Sequence, residues 1–307
     1  MTIDIDSDLL GTVKPYRRQI IISTGQSDWP KKVTHTAGTL AAYIDEANDS
    51  LGALRKHNAA NGESNGNTPS VPGLLSYTDT SRLSILNGSH RTFCDDPNEE
   101  TVLVLPDFKV VAGVPRTLDG ARELWAAALD PALGRAGAAT SLRSWVLPYS
   151  CLILLCSHKR KDKRCHITAP ILEKAFTQYL EHENWEVHTE LEDLSHHEAL
   201  SSPTQNSGSD SSDTESEAES AFEAQLKALP DHHKALILRN SHIGGHKFAG
   251  NCIIYTPRGA CVWYGRITPH DVEAIVKCTI IAGQVLPPLL RGGMELSRPG
   301  CKTLYEW

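Results

Sequence analysis

Two pairs of side chains in this 307-residue chain have the type and spacing to hold a metal: Cys156 and Cys165, and His242 and His246. Thiolates combined with imidazoles suit zinc, or a [2Fe-2S] cluster of the kind in which two His replace two Cys on one iron. A two-Cys, two-His zinc finger is disfavoured, because it needs a close Cys pair and about twelve residues before the histidines. His242-Ile-Gly-Gly-His246 has no Glu and carries two glycines that oppose a helix, which separates it from a helical metalloprotease site. The spacing predicts a turn, with Gly244 and Gly245 letting the backbone pass close to a cluster and their amides free to hydrogen-bond its sulfides. Cys156 and Cys165 bracket a basic loop, Ser157-His-Lys-Arg-Lys-Asp-Lys-Arg164, a poor place for inert core thiols. From spacing alone three readings stand: a metal site, buried thiols with hydrogen-bonded histidines, and a thiol-redox pair. Lys247, Asn251 and Arg266 are placed to support such a site or simply to hold the backbone.

The elements that must bring these donors together are legible from periodicity and caps. Leu152–Leu155 is a buried strand, Thr168 caps a helix whose apolar stripe runs from Ile171 to Leu180, and Trp185–Leu191 and Ala235–Leu238 are further strands. Ala249–Tyr255 and Ala260–Ile267 form a hairpin, and Thr268 opens a final helix. This β-α-β then β-β-α order is the thioredoxin-like plan, with the paired donors on neighbouring loops at one end of a sheet. The first half repeats it. Arg18–Ser23 is a strand, Leu83-Ser-Ile-Leu-Asn-Gly-Ser-His90 parallels the run ending at Ser241-His242, and Thr101–Val111 leads to a helix through Leu118 and Ala128. At an offset of about 152 residues the halves read as a degenerate duplication. Where the second half places Cys156, the first has Ser23-Thr-Gly-Gln-Ser-Asp28, so metal chemistry belongs to the second half. The expected architecture is α/β in two thioredoxin-like halves, residues 1–140 and 141–307, with a disordered insertion over about 199–222.

Composition narrows the class. Hydrophobic residues are 40% and charged residues 22%, with apolar runs far shorter than a membrane span requires, which predicts a protein with no membrane association. The net charge of -7 is local: thirteen acidic residues and no basic ones lie between Glu181 and Glu223, leaving the rest mildly positive. Without aromatics interleaved in the basic loop, nucleic acid is not expected as a partner. Gly-rich phosphate loops, Gly-x-Ser-x-Gly elbows and dinucleotide fingerprints are absent from the sequence. The acidic start resembles neither a secretory nor a mitochondrial leader.

Cys156-Ser-His-Lys-Arg-Lys-Asp-Lys-Arg-Cys165, Ser241-His-Ile-Gly-Gly-His-Lys-Phe-Ala-Gly-Asn251, Val262-Trp-Tyr-Gly-Arg-Ile-Thr-Pro269 and Ser27-Asp-Trp-Pro30 together resemble the fungal sucrase/ferredoxin-like family. The resemblance implies a C-terminal thioredoxin-like ferredoxin domain with a [2Fe-2S] cluster on Cys156, Cys165, His242 and His246. His166, where many relatives have Gly, is a departure that could compete as a ligand. With two thiolates and two neutral imidazoles the oxidised cluster sums to zero charge rather than to the -2 of a four-thiolate cluster. Its potential is therefore expected to be raised and to fall with pH. The implied role is an electron-transfer protein more than a substrate-converting enzyme, served by a redox partner protein that the basic loop can steer. Direct thiol exchange at Cys156 and Cys165, or a zinc-stabilised interaction module, are the alternatives. Tyr305-Glu-Trp307 resembles a short C-terminal signal for the cytosolic iron-sulfur assembly machinery; the expected location is cytoplasmic, with mitochondrial as the alternative.

Overall fold

The computed structural model describes residues 3–59, 73–160, 162–197, 199–200 and 211–296. Within them the chain forms a mixed α/β structure on one twelve-stranded sheet. The first strands are β1 (Arg18–Ser23), β2 (Leu74–Leu75), β3 (Leu83–Gly88), β4 (Glu99–Leu105), β5 (Lys109–Pro115) and β6 (Arg143–Val146), the last lying past the expected boundary at 140 and pairing with β5. The second half supplies β7 (Cys151–Cys156), β8 (Glu186–His188), β9 (Lys234–Asn240), β10 (Cys252–Tyr255), β11 (Cys261–Tyr264) and β12 (Leu290–Met294). The helices are α1 (Leu40–Ala59), α2 (Leu118–Leu124) running on into a π-helical turn at Trp125–Leu129, α3 (Lys163–His182), α4 (Ser211–Ala228) and α5 (Val272–Ala274), which continues as a π-helical stretch Ile275–Ile281. Among the described residues no helix is long and apolar enough to cross a membrane.

The strand order is symmetric about the middle. Reading outward, β3-β1-β4-β5 on one side matches β9-β7-β10-β11 on the other. In each group the first two strands are parallel and the next pairings antiparallel. A parallel pair needs a crossover, and α1 and α3 supply it. Strand alternation then sorts the side chains: Ile20 and Ile22 pack under α1 and α2, and Ile153 and Leu155 under α3 and α5. Ile21, Leu152 and Leu154 face the opposite side, where one apolar layer runs across both halves. With both faces covered, these strands read as unbroken apolar runs.

The halves join where β3 and β9 meet at their C-terminal ends, through the single pair Gly88 and Asn240. Four hydrogen bonds close this junction reciprocally. The Ser89 amide donates to the Arg239 carbonyl and the Ser241 amide to that of Asn87, both at 2.9 Å. The amides of Arg239 and Asn87 donate in turn to the hydroxyls of Ser89 and Ser241, both at 3.1 Å. Gly88 is required here, since a Cβ would lie 2.5 Å from Ile21 Cγ2 and 2.7 Å from His90 Nδ1. His90 therefore stands in the first half where His242 stands in the second.

Several boundaries differ from the sequence reading. Helix α3 begins at Lys163, capped by Asp162, whose side chain accepts from the Arg164 amide. Thr168 is not its cap; its hydroxyl donates back to the Arg164 carbonyl inside the helix. This places Cys165 in the first turn of α3. The last helix begins at Val272 rather than at Thr268; Asp271 stands before it without a side-chain capping bond to the helix, and its carboxylate accepts from the Thr268 amide and hydroxyl. The insertion expected to be disordered over about 199–222 is helical from Ser211, and residues 201–210 lie outside the described set. Its composition hides an apolar stripe: Phe222, Leu226 and Leu229 are buried in the layer shared by both halves, and the Glu219 carboxylate caps the Arg135 and Ala136 amides.

His90 is fully buried, and desolvation pushes its pKa from 6.5 down to about 4. The neutral ring is the folded form, so its contribution is present above pH 6.5 and is lost as pH falls toward 4. The difference corresponds to about 3 kcal/mol at full burial. In urea titrations at a series of pH values, wild type should lose roughly that much more stability across this window than His90→Gln. Parallel curves for the two proteins would show that His90 does not titrate in this way.

Candidate metal centre

The register of β7 against β9 builds the site. Their parallel pairing ends at Cys156 opposite Asn240. Two residues past each strand end, at the same height, come His158 and His242. Their rings meet edge to face with centroids 4.6 Å apart. His158 is fully buried, with Nε2 3.2 Å from Cys156 Sγ and 3.0 Å from His242 Nδ1. Donor atoms of Cys156, His158 and His242 all lie within 4.8 Å of one another.

Cys165 enters from the first turn of α3. It is buried against Cys156 and Ala249. Both thiols are free. The pair favours a single negative charge: the neighbouring Cys156, then His158, hold Cys165 down to about 5, while burial pushes Cys156 up. The backbone amide of Ile243 opposes that rise at Cys156.

Of the residues expected from sequence, Cys156 and His242 have donor atoms in mutual reach, and Cys165 packs against Cys156. His246 stands beside them, its ring centroid 5.6 Å from that of His242. Gly244 and Gly245 form the turn, both at positive φ. Gly245 is held to glycine by its neighbour, because a Cβ would come within 2.3 Å of Arg291 Nη2, whereas a Cβ at Gly244 would meet open space. Asn251 links turn and cation, donating to the Gly245 carbonyl and accepting from Arg291 Nη1 at 2.8 Å. Lys247 faces elsewhere: it pairs with Asp4 at 3.0 Å and donates to Ser7. Arg266 likewise donates to the Asp4 and Ser7 carbonyls. His166 is half-buried on α3. In the basic loop Arg160 pairs with Asp28 of the first half, and Arg164 with its own cap, Asp162. Lys161, Cys301 and Trp307 lie outside the described residues.

Sequence reasoning misses two participants. In sequence His158 reads as part of a charged loop; the signal is its even spacing from Cys156, which in a strand end keeps it on the same side as the thiol. Arg291, on β12 between β11 and the short β2, is 1% exposed and reaches Thr12, Gly244 and Asn251. Burial pulls its pKa down to about 10, opposed by Cys156 and Cys165. It stays cationic and is the nearest buried positive charge to the thiols. A pocket with two sulfurs, imidazoles and a buried cation fits a soft or borderline metal, zinc or an iron-sulfur cluster alike.

The corresponding corner of the first half has Ser23 in place of the thiol and the buried His90 in place of His242. Ser23, at the end of β1, donates to Glu100 at 2.8 Å, and Glu100 pairs with Arg116.

A family model described as sucrase/ferredoxin-like matches residues 9–292. "Altered inheritance of mitochondria protein 32" of Meyerozyma guilliermondii is 27% identical over 141 residues, covering 46% of this chain and 34% of the relative. "Actin patches distal protein 1" of Saccharomyces cerevisiae is 31% identical over 131 residues, 42% of this chain and 29% of that protein. The matched regions thus span about a third of these curated relatives. No solved structure matches the chain.

Removing the charge of Arg291 should make the thiolate harder to form. In metal-free Arg291→Gln, ultraviolet titration of thiolate absorbance should place Cys165 above its value of about 5, with Arg291→Lys nearer wild type. A titration unchanged in Arg291→Gln would remove Arg291 from the electrostatics of the pair.

Proposed function

The chain belongs to the sucrase/ferredoxin-like family, and from that premise we propose that it is an electron-transfer protein whose C-terminal half holds a [2Fe-2S] cluster on Cys156, Cys165, His242 and His246. The observation that carries this reading is that Cys156 and His242, from loops far apart in sequence, come within mutual reach, with Cys165 packed against Cys156 and the His246 ring beside that of His242. When bound, such a group supplies reversible one-electron transfer. The residues around it do the rest. Cys165 is ready as a thiolate, and Arg291 offsets the negative charge of the sulfurs. Gly245 lets the turn pass over Arg291, and Asn251 fixes both.

The repeated element order supports two thioredoxin-like halves, 1–140 and 141–307, the second being the ferredoxin domain. The exposed cations Lys159 and Arg160 beside the site favour an acidic redox partner protein. Contact with the cytosolic iron-sulfur machinery through Trp307 belongs to the same proposal. The mitochondrial term in the relatives' name supports a link of this chain to mitochondria beside the expected cytoplasmic location, and fractionation of tagged full-length protein separates the two.

Protein purified without oxygen should carry about two iron and two acid-labile sulfides per chain. His242→Cys or His246→Cys should lower the reduction potential by on the order of 100 mV and flatten its dependence on pH, because a titratable neutral ligand gives way to a thiolate. Stoichiometric zinc in place of iron, or metal-free protein with two titratable thiols, would replace this reading by the zinc-stabilised module or by thiol exchange.

A further inference from the structure

The second half covers a strand edge whose counterpart in the first half lies open. One edge of β9 pairs with β7 from Ala235 to Asn240. Its other edge meets β3 at Asn240 and, further back, carries the three-residue strand β8 in parallel: Glu186 beside Lys234, Val187 beside Ala235 and His188 beside Leu236. At the offset of about 152 residues that relates the halves, the matching stretch is Arg82, Leu83 and Ser84, at the start of β3.

Strand β3 pairs with β1 on one edge and with β9 only at Gly88 on the other. Asn87 marks the direction of that second edge, because its amide donates to the Ser241 hydroxyl and its carbonyl accepts from the Ser241 amide. Peptide groups alternate between the two edges along a strand, so those of Leu83 and Ile85 face the same way as those of Asn87. Among the described residues nothing bonds them there. Such a row of N–H and C=O groups is a template for another strand.

A cleft of about 550 Å3 straddles this edge. Thr34 and Asp45 line it on the α1 side of the sheet, Tyr16 and Trp263 on the opposite side, and the His242–Gly245 turn faces β3 across it. An extended segment suits a space of this kind, since its alternate side chains point to the two faces while its backbone bonds the edge.

Charge gives the occupant its chemistry. In the second half Lys234 is met by two carboxylates, Glu186 of β8 at 3.7 Å and Glu192. Arg82, in the equivalent place, donates to the Pro15 carbonyl, and among the described residues no carboxylate pairs with it or with Lys14 in the same cleft. These two cations outnumber the one acidic residue there, Asp45.

We propose that this cleft binds a short, extended, acidic peptide segment of a partner protein, added parallel to the open edge of β3 as β8 is added to β9. The site stands on strand geometry and charge. The cluster reading adds only that the bound segment lies against His242, one of the ligands of that reading.

Fluorescence anisotropy on the full-length chain tests this with a labelled synthetic heptapeptide of the sequence Trp185–Leu191, which contains the strand that fits the matching edge of β9. Saturable binding is expected below about 1 mM. Arg82 is exposed, so its replacement leaves the fold intact. Arg82→Glu should weaken binding about tenfold, and Arg82→Lys should stay within about threefold of wild type. Two peptides N-methylated on alternate residues read the backbone: the one blocked on the edge-facing amides should lose binding and the other keep it. Hydrogen exchange at the Leu83 and Ile85 amides should be fast in the free chain and slow in the complex. No saturable binding, equal binding of both methylated peptides, or unchanged exchange at Leu83 and Ile85 overturns the proposal. Binding that appears only after deletion of residues 60–72 also overturns it, since the occupant would then be a segment of this chain. A chain that binds the peptide yet takes up no cluster keeps this site and loses the cluster reading.

Discussion

The pairing of β7 with β9 holds the centre together. Two parallel strands whose last residues, Cys156 and Asn240, stand level must deliver their downstream loops to the same place. His158 and His242 meet because each is two residues past that point. Helix α3 returns over β7 and ends its own first turn on Cys165, and the Gly244-Gly245 turn folds back over Arg291. A slip of one residue in this register would turn the histidines to opposite faces and separate the donors. Reciprocal hydrogen bonds between Asn87–Ser89 and Arg239–Ser241 hold the register from the far side, so the first half has a direct mechanical part in the centre.

The two halves share an order of elements and differ in chemistry. At equivalent strand ends one has Cys156 and the other Ser23. After equivalent strands one has His242, half-buried beside its partners, and the other His90, sealed in the core as a neutral ring. The first half satisfies its corner with a hydroxyl, a carboxylate and Arg116, which is what a corner without soft donors needs to avoid unpaired buried groups. It also braces the basic loop through Asp28 and the Ser27 carbonyl, the latter accepting from Ser157.

How much is legible in the amino-acid sequence depends on how local each signal is. The buried strands show as apolar runs, and the paired donors show by type and spacing. The internal repeat shows because Ser89-His90 and Ser241-His242 are the two sides of one junction. The start of α3 is ambiguous because Asp162 and Thr168 are both competent caps, and only packing decides between them. Helix α4 escapes notice because Phe222 and Leu226, with Leu229 just past its end, carry it among many Ser and Glu, and their value depends on a core layer from distant strands. Arg291 and the role of His158 depend on contacts between segments tens of residues apart, such as His158 with His242, which spacing alone does not encode.

If two sulfur and two nitrogen donors hold one redox group, the reduced centre must carry the magnetic signature of both imidazoles. Pulsed electron paramagnetic resonance of the reduced protein, grown with nitrogen-isotope-labelled histidine, reads that signature. Couplings to two histidine nitrogens are expected, one lost in His242→Cys and the other in His246→Cys. A reduced centre with no histidine coupling, or with couplings indifferent to both substitutions, would contradict the cluster on these four donors.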